Sequence, residues 1–138
     1  MSETISYTLE WRGEFSSSEA NDLHAEAFST RTFTDGEWDW RALVDRHSLG
    51  WVVARRRGIF VGFVNVVSDG LVHAWIQDLM VTADERGNGI GTKLVGVARQ
   101  GAKDAGCEWL HVDFEDDLRS FYFSACGFTP TNAGLIHL

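Results

Sequence analysis

A chain of 138 residues with 44% hydrophobic residues is long enough to bury one core, and its single proline argues against a disordered protein. The formal net charge of −8 argues against nucleic acid as the main partner, because contact with phosphates requires a basic surface. No apolar run is long enough to span a bilayer, so we expect no membrane partner. Composition therefore predicts one globular domain over residues 1–138.

The cysteines and histidines carry no metal-binding or disulfide pattern. Cys107 and Cys126 are the two cysteines, and the five histidines are scattered without an H-x-x-x-H spacing. The first residues lack the basic and apolar regions of a signal peptide. We therefore expect no metal, and a reducing cytoplasm as the location.

The first third of the chain predicts one strand and two helices. Residues 5–11 alternate between apolar and polar, as in a half-buried strand. Ser16 with Glu19 forms a capping-box pattern, which predicts a helix to about Phe28. A second helix is expected over roughly 37–48. The predicted apolar faces are Ala20, Leu23, Ala27 and Phe28 in the first helix, and Trp40, Leu43, Val44 and His47 in the second.

The middle of the chain predicts three consecutive antiparallel strands. Residues 51–56 and 59–67 are apolar and rich in β-branched residues, and Arg57-Gly58 between them indicates a hairpin. Ser68-Asp69-Gly70 indicates a second turn before a strand over 72–81.

A glycine-rich stretch follows the third of these strands. Arg86, Gly87, Gly89 and Gly91 lie where a helix must begin. The first N–H groups of a helix have no internal partner, and glycine lets a ligand approach them closely. Strand, glycine turn and helix N-terminus together predict a site for an anion such as a pyrophosphate.

The rest of the chain predicts a helix, a parallel strand, a second helix and a last strand. An apolar stripe from Ile90 to Ala105 predicts the first helix, and Gly106 its end. Residues 108–114 alternate, and a right-handed crossover should place them parallel to 72–81. Asp116 or Asp117 is expected to cap a helix that Gly127 ends, before a final strand or pair over 128–131 and 134–138. The predicted buried face of that helix comprises Leu118, Phe121, Tyr122, Ala125 and Cys126.

The predicted order is β-α-α-β-β-β-α-β-α-β. This order is typical of an α/β fold with a mixed, mostly antiparallel central sheet and helices on both faces.

The glycine stretch matches one known motif and fails two others. Gly91-Thr92-Lys93 lacks the spacing of a Walker loop, and Thr92 stands where a dinucleotide fingerprint needs its third glycine. Arg86, Gly89 and Gly91 fit [RQ]-x-x-G-x-[GA], which resembles the acetyl-CoA-binding motif of the GCN5-related N-acetyltransferases (GNAT). The predicted order of elements is also that of the GNAT fold. The resemblance implies acetyl-CoA as co-substrate, bound by Met80, Val81, Arg86, Gly87, Asn88, Gly89, Ile90, Gly91 and Thr92.

A second segment supports this resemblance. Residues 121–128 read F-Y-F-S-A-C-G-F and resemble the F-Y-x-x-x-G-F segment of the family. In many members its tyrosine protonates the leaving thiolate of coenzyme A, a general-acid role that falls here on Tyr122.

The base that removes a proton from the acceptor amine is left open. Several family members carry a glutamate at the position of Gln77, and glutamine is not a useful proton acceptor. Asp78 is adjacent, but alternation along a strand places Asp78 and Gln77 on opposite faces unless a bulge intervenes. We rank a water relay first, Asp78 second and Asp113 third.

In the family the strand before the glycine loop splays apart from its neighbour, here at the level of residues 79–81. The acceptor is expected between the first two helices and these strands. Trp38, Gln77 and Asp113 are the predicted substrate-binding residues. An aromatic wall such as Trp38 suits a cationic amine, while core packing is an equally good explanation of the tryptophans.

The resemblance implies an acetyl-CoA-dependent N-acetyltransferase. It would transfer an acetyl group to a primary amine of a small molecule or a protein by direct attack of the amine on the thioester. A homodimer, as in many relatives, stays open. The alternative is a non-catalytic acyl-CoA-binding sensor or regulatory domain. Gln77 keeps this alternative open, as does Glu115-Asp116-Asp117 where the family often has an asparagine.

Overall fold

The computed structural model describes residues 6–138. Ile5, predicted to begin the first strand, lies outside these residues. The strands are β1 Thr8–Trp11, β2 Ser48–Arg56, β3 Ile59–Ser68, β4 His73–Val81 and β5 Trp109–His111; the helices are α1 Ser17–Phe28, α2 Trp40–His47 and α3 Ile90–Asp104. Shorter helical segments are the 3-10 turns Ala83–Glu85 and Asp116–Leu118 and the π-helical segment Ser120–Ala125.

The strands form one sheet in the order β1-β2-β3-β4-β5. All neighbours pair antiparallel except β4 and β5, which are parallel. On one face the sheet packs on α1 and α2 through an aromatic core that includes Trp40, Trp51 and Phe63. On the other face it packs on α3 through aliphatic side chains. The predicted mixed, mostly antiparallel sheet with helices on both faces is confirmed.

Local signals explain where the early elements begin and turn. Ser16 caps α1, and a complete capping box with Glu19 is present. Asp39 caps α2 by accepting from the Ala42 N–H at 3.0 Å, so this helix is shorter than predicted. The β2–β3 hairpin turns through Arg57-Gly58 as predicted, both with positive φ.

The buried face of α1 differs from the prediction. Phe28 is 53% exposed, whereas Asn21 is 1% exposed. The Asn21 amide donates to the Trp38 carbonyl at 3.0 Å and accepts from the Trp40 indole N–H at 2.9 Å. Because both polar ends of its amide are satisfied, Asn21 takes a core position that an apolar periodicity assigns to larger side chains.

The last part of the chain also departs from the prediction. In place of a capped α-helix there is a 3-10 turn, without a side-chain cap, and then the π-helical segment, in which only Tyr122 is buried. Gly127, with a φ of 80°, follows the segment as expected. The predicted final strand is wrong: residues 129–138 form no strand, and Leu135, Ile136 and Leu138 are almost fully exposed. A short apolar segment does not form a strand where no neighbouring strand pairs with it.

Within residues 6–138 no helix combines the length and the apolar character needed to cross a bilayer.

Candidate active site

A bulge in β4 determines the geometry of the site. Phe63 pairs with Met80 and Asn65 with Gln77, so Val64 faces both Asp78 and Leu79. Asp78 has a φ of 56°, in the left-handed region. The bulge reverses the alternation of side chains: Ile76 packs in the core on the α3 side, whereas Met80 packs with α1 and α2.

The bulge is the exception that the sequence left open, under which Gln77 and Asp78 need not face opposite sides. Gln77 alternates with Ile76 and so points to the α1 side. Asp78 lies beyond the reversal, within electrostatic range of His24 on α1. Burial raises the pKa of the Asp78 carboxyl, and the neighbouring His24 counteracts this in part.

His24 is a site residue that sequence reasoning missed. Its Nδ1 atom is buried and has no hydrogen-bond partner among the described residues. Its ring lies 4.9 Å from that of Phe28 and 5.6 Å from that of Phe33. A single histidine on a helix carries no motif, so only the packing of α1 on β4 shows its place.

β4 and β5 separate just before the bulge. They pair only from His73 to Trp75, opposite Trp109 to His111. We call the region between residues 76–81 and residues 112–114, where this pairing has ended, the β4–β5 cleft. Beyond Trp75 the main chain of β4, which includes the predicted cofactor-binding residues Met80 and Val81, has no β5 partner. The Met80 side chain is buried, so only its main chain can contact a ligand, and the Val81 carbonyl accepts from Arg86 Nε at 3.3 Å.

The glycine turn leaves the N-terminus of α3 bare. Gly87 and Gly89 have φ values of 86° and 77°, and Gly89 is the N-cap residue of α3, with no side-chain hydrogen bond. A Cβ at either glycine would meet nothing within 4 Å. Ile90 is buried and anchors the helix, and the neighbouring Thr92 is exposed. The first N–H groups of α3 are thus open to an anion.

Arg86 and Asn88 hold the turn through their side chains. The Arg86 guanidinium donates to the Ala27 carbonyl at 2.9 Å and so links the turn to the end of α1. The Asn88 amide donates to the Tyr7 hydroxyl at 3.1 Å.

Beneath the turn lies a buried carboxylate, Glu85, that the sequence did not indicate. It accepts hydrogen bonds from the hydroxyl of Tyr7 and, at 2.9 Å, from the guanidinium of Arg56. These two hydrogen bonds, with that of Tyr7 the larger influence, lower the pKa of Glu85. The partners are distant in sequence, which is why no local pattern predicted them.

Tyr122 lies buried behind the turn. Its ring stacks on Phe114 at 4.6 Å. Burial, with smaller contributions from Cys126 and Asp113, raises the pKa of Tyr122 to about 12. The phenol therefore stays protonated at neutral pH and is available as a donor.

The predicted substrate-binding residues lie on three different segments of the chain. Trp38 is half exposed and stacks on Phe33, while Trp40 is a core residue. Gln77 is exposed on β4. Asp113 lies near enough to Tyr122 to influence its pKa.

A strand that leaves its parallel neighbour and runs into a bare helix N-terminus defines a site for an elongated ligand with an anionic end. Residues 8–128 match the family model of the acetyltransferase (GNAT) family. The chain belongs to the GNAT family of acetyltransferases.

Similar proteins agree with this assignment. A stretch of 53 residues is 38% identical to a probable glucosamine 6-phosphate N-acetyltransferase 2 of Oryza sativa subsp. japonica, covering 38% of the chain and 31% of that relative. A GNAT family acetyltransferase of Streptococcus pneumoniae TIGR4 is 25% identical, with a TM-score of 0.74 over 96% of this chain and 98% of that one. Glucosamine-6-phosphate N-acetyltransferase of Arabidopsis thaliana is 21% identical, with a TM-score of 0.71 over 95% and 98% of the two chains.

Proposed function

We propose that this protein transfers the acetyl group of acetyl-CoA to the primary amine of a small molecule. The observation that carries the proposal is that β4, which has no β5 partner after Trp75, leads through the glycine turn into the bare N-terminus of α3, in a chain of the acetyltransferase family. Acetyl-CoA is elongated, with a pyrophosphate some distance from its acetyl end, and this shape suits the site.

The residues present fit acetyl-CoA. Because Gly87 and Gly89 leave open space above the helix N-terminus, the main chain of residues 87–92 can bind the pyrophosphate. The unpaired edge of β4 at Met80 and Val81 offers main-chain groups to the pantetheine arm. When bound, acetyl-CoA supplies the acetyl group as an activated thioester.

Tyr122 and Asp78 are the proposed proton-transferring groups. A phenol with a pKa of about 12 remains protonated and can donate to a departing thiolate. A carboxylate whose pKa is raised by burial is a better proton acceptor at neutral pH than an ordinary one. The left-handed φ of Asp78 also supports a functional role, because such backbone strain concentrates at active sites. Asp78 is one of two candidate acceptors for the proton of the amine, directly or through water; the other is the His73–His111 pair between β4 and β5.

The acceptor we propose is an amino sugar or a similar small amine. The rice relative and the Arabidopsis structure are named for glucosamine 6-phosphate. Trp38 with Phe33 and the exposed Gln77 supply the aromatic and polar surfaces for such a molecule, and Asp113 supplies a negative charge close to Tyr122. Glucosamine 6-phosphate, glucosamine and a lysine-containing peptide are therefore the first acceptors to test.

Calorimetric titration with acetyl-CoA and with CoA tests the cofactor site. We expect both to bind, and Gly89→Glu to abolish binding because it adds a negative charge at the helix N-terminus. Gly106→Glu adds the same charge beyond the other end of α3 and should leave binding unchanged. Absence of binding at millimolar ligand would overturn the proposal. Binding without acetylation of any of the three acceptors would favour an acyl-CoA sensor.

We also propose that the protein forms a homodimer through its C-terminal segment. Leu135, Ile136 and Leu138 are almost fully exposed, and β5 is an edge strand of the sheet. A second copy can cover these side chains and pair with that edge. Light scattering should give twice the mass of one chain, and one chain for a Leu135→Asp/Ile136→Asp variant. A monomeric wild type would contradict this proposal.

A further inference from the structure

Two histidines form a hydrogen-bonded pair across the parallel strands. His73 Nδ1 of β4 lies 2.8 Å from His111 Nε2 of β5. The ring of His111 also stacks on Trp75, with centroids 4.8 Å apart and planes 18° from parallel. Both histidines are half-buried. The two rings are thus held in one arrangement by the sheet and by an aromatic neighbour.

The pair lies at the closed end of the β4–β5 cleft. His111 is opposite Trp75, the last pairing before the strands separate. Ala74 and Ile76 pack in the core on the α3 side, so the alternate residues His73, Trp75 and Gln77 point to the other face. The histidine rings therefore share the face on which Gln77 and Asp78 lie, where an acceptor must approach the acetyl group.

A carboxylate lies next to His73. Asp69, in the β3–β4 turn, accepts hydrogen bonds from the main-chain N–H of Leu71 at 2.8 Å and of His73 at 3.2 Å. These two main-chain hydrogen bonds, with that of Leu71 the larger influence, lower the pKa of Asp69. Asp69 is therefore negatively charged at neutral pH, close to the main chain of His73.

A hydrogen bond between two imidazoles requires one donor and one acceptor nitrogen. If His111 donates through Nε2–H, its Nδ1 carries a free lone pair, and His73 Nδ1 is the acceptor. A proton taken up at His111 Nδ1 can then displace the Nε2 proton onto His73, which lies next to the negatively charged Asp69.

Resting on the acetyltransferase function proposed above, we infer that His111 and His73 form the proton relay of the acceptor side. The acceptor ammonium gives one proton to His111 Nδ1 and becomes a neutral amine that can attack the thioester. His111 passes its Nε2 proton to His73 Nδ1, and His73 releases its own Nε2 proton to water. One pass moves one proton from the ammonium to solvent and leaves both rings in the opposite tautomer. Proton exchange with water at His111 Nδ1 and His73 Nε2 returns the rings to their starting tautomers, without any redox partner.

The first test reads the tautomers directly in the free protein. Long-range ¹H–¹⁵N spectra of the histidine rings, assigned with His73→Gln and His111→Gln, should show His111 protonated at Nε2 and bare at Nδ1, and His73 bare at Nδ1. A proton on His111 Nδ1 at neutral pH would overturn the relay. This test needs no acceptor, so it stands even if the acceptor chemistry differs from the proposal.

The second test is kinetic and uses glucosamine 6-phosphate, or whichever of the three acceptors is acetylated. His111→Gln and His73→Gln should each lower kcat by roughly 10²-fold or more, with the Kd of acetyl-CoA unchanged. Added imidazole should restore part of the activity of His111→Gly, which loss of a merely structural ring would not allow. His47→Gln, an exposed histidine on α2, is the matched control and should behave as wild type.

The two hypotheses fail in different ways. Full activity in His111→Gln would refute the relay and leave the acetyltransferase function intact. A wild-type protein that binds no acetyl-CoA would refute the proposed function, and the relay as its proton acceptor with it.

Discussion

Gly91, in the first turn of α3, lies directly against the ring of Phe121. A Cβ on Gly91 would be 3.2 Å from both Cε1 and Cζ of that ring. The contact joins the glycine turn to the segment that carries Tyr122, so the anion site and the proposed acid are positioned by a single interface.

The size of residue 91 should therefore control stability. Gly91→Ala requires Phe121 to move by only a few tenths of an ångström, and its free energy of unfolding should change by less than about 1 kcal/mol. Gly91→Val should lower the free energy of unfolding, measured by urea denaturation, by about 1–3 kcal/mol because the larger side chain overpacks the contact. Gly96, on the same helix with open space around it, is the control: Gly96→Ala should stabilise by about 0.5–1 kcal/mol. Equal effects of alanine and valine at position 91 would contradict the contact.

Gly89→Ala should separate backbone strain from ligand binding. Its positive φ costs a non-glycine residue about 1–2 kcal/mol, and the new methyl group lies where the pyrophosphate is proposed to bind. We expect a lower Tm and a Kd for CoA weakened at least about tenfold. Gly106→Ala, also at positive φ with open space, should lower the Tm similarly without changing the Kd. Equal Kd values for the two variants would remove Gly89 from the CoA site.

Tyr122→Phe should reduce turnover without loosening the cofactor. Removal of the phenolic proton should lower kcat by roughly 10²–10⁴-fold, and the Kd of CoA should stay the same because the ring remains stacked on Phe114. Phe114→Leu disturbs the same stack and keeps the hydroxyl, so it should lower the Tm and have the smaller effect on kcat. Unchanged kcat in Tyr122→Phe would exclude Tyr122 as the acid.

Asp78→Asn should stabilise the protein at neutral pH. Burial raises the folded-state pKa of Asp78 above its unfolded value, so its favourable contribution is complete at low pH and is lost as pH rises through the folded pKa. Asparagine does not ionise, so the stability of this variant does not fall in that pH range. Asparagine also tolerates the left-handed φ. Thermal melts from pH 4 to pH 8 should show a higher Tm at pH 7 and a weaker pH dependence. The exposed Asp22→Asn is the control, and a lower Tm at pH 7 in Asp78→Asn would contradict the prediction.

Tyr7→Phe should weaken the turn through Glu85. Hydrogen bonds from Tyr7 and Arg56 lower the folded-state pKa of Glu85, so its stabilising contribution is present above the unfolded pKa and is lost as pH falls through the folded pKa. Loss of the hydrogen bond from Tyr7 to a buried carboxylate should lower the free energy of unfolding by about 1.5–3 kcal/mol. Each kcal/mol should lower the Tm by about 4 °C. The midpoint of acid unfolding should move to higher pH. Tyr122→Phe, the same chemical change elsewhere, should leave that midpoint in place.

Local signals in the sequence determined most of the fold and one half of the site. The capping box at Ser16, the Arg57-Gly58 hairpin and the spacing of Arg86, Gly89 and Gly91 act within a few residues, so they predict α1, the antiparallel strands and the bare N-terminus of α3. Sequence similarity over residues 8–128 then identifies the family. These features depend on backbone preferences and on glycine, which are properties of the chain itself.

Only the tertiary structure decided the acceptor side. The register of β4 on β3 creates the bulge that turns Asp78 towards His24, and no alternation pattern contains that register. Tyr7 meets Glu85, and His73 meets His111, only because distant strands pair in one sheet. The prediction of a final strand is wrong because its apolar residues have no strand to pair with among residues 6–138. Pairing and burial between distant segments set these features, and such contacts leave no periodic trace in the sequence.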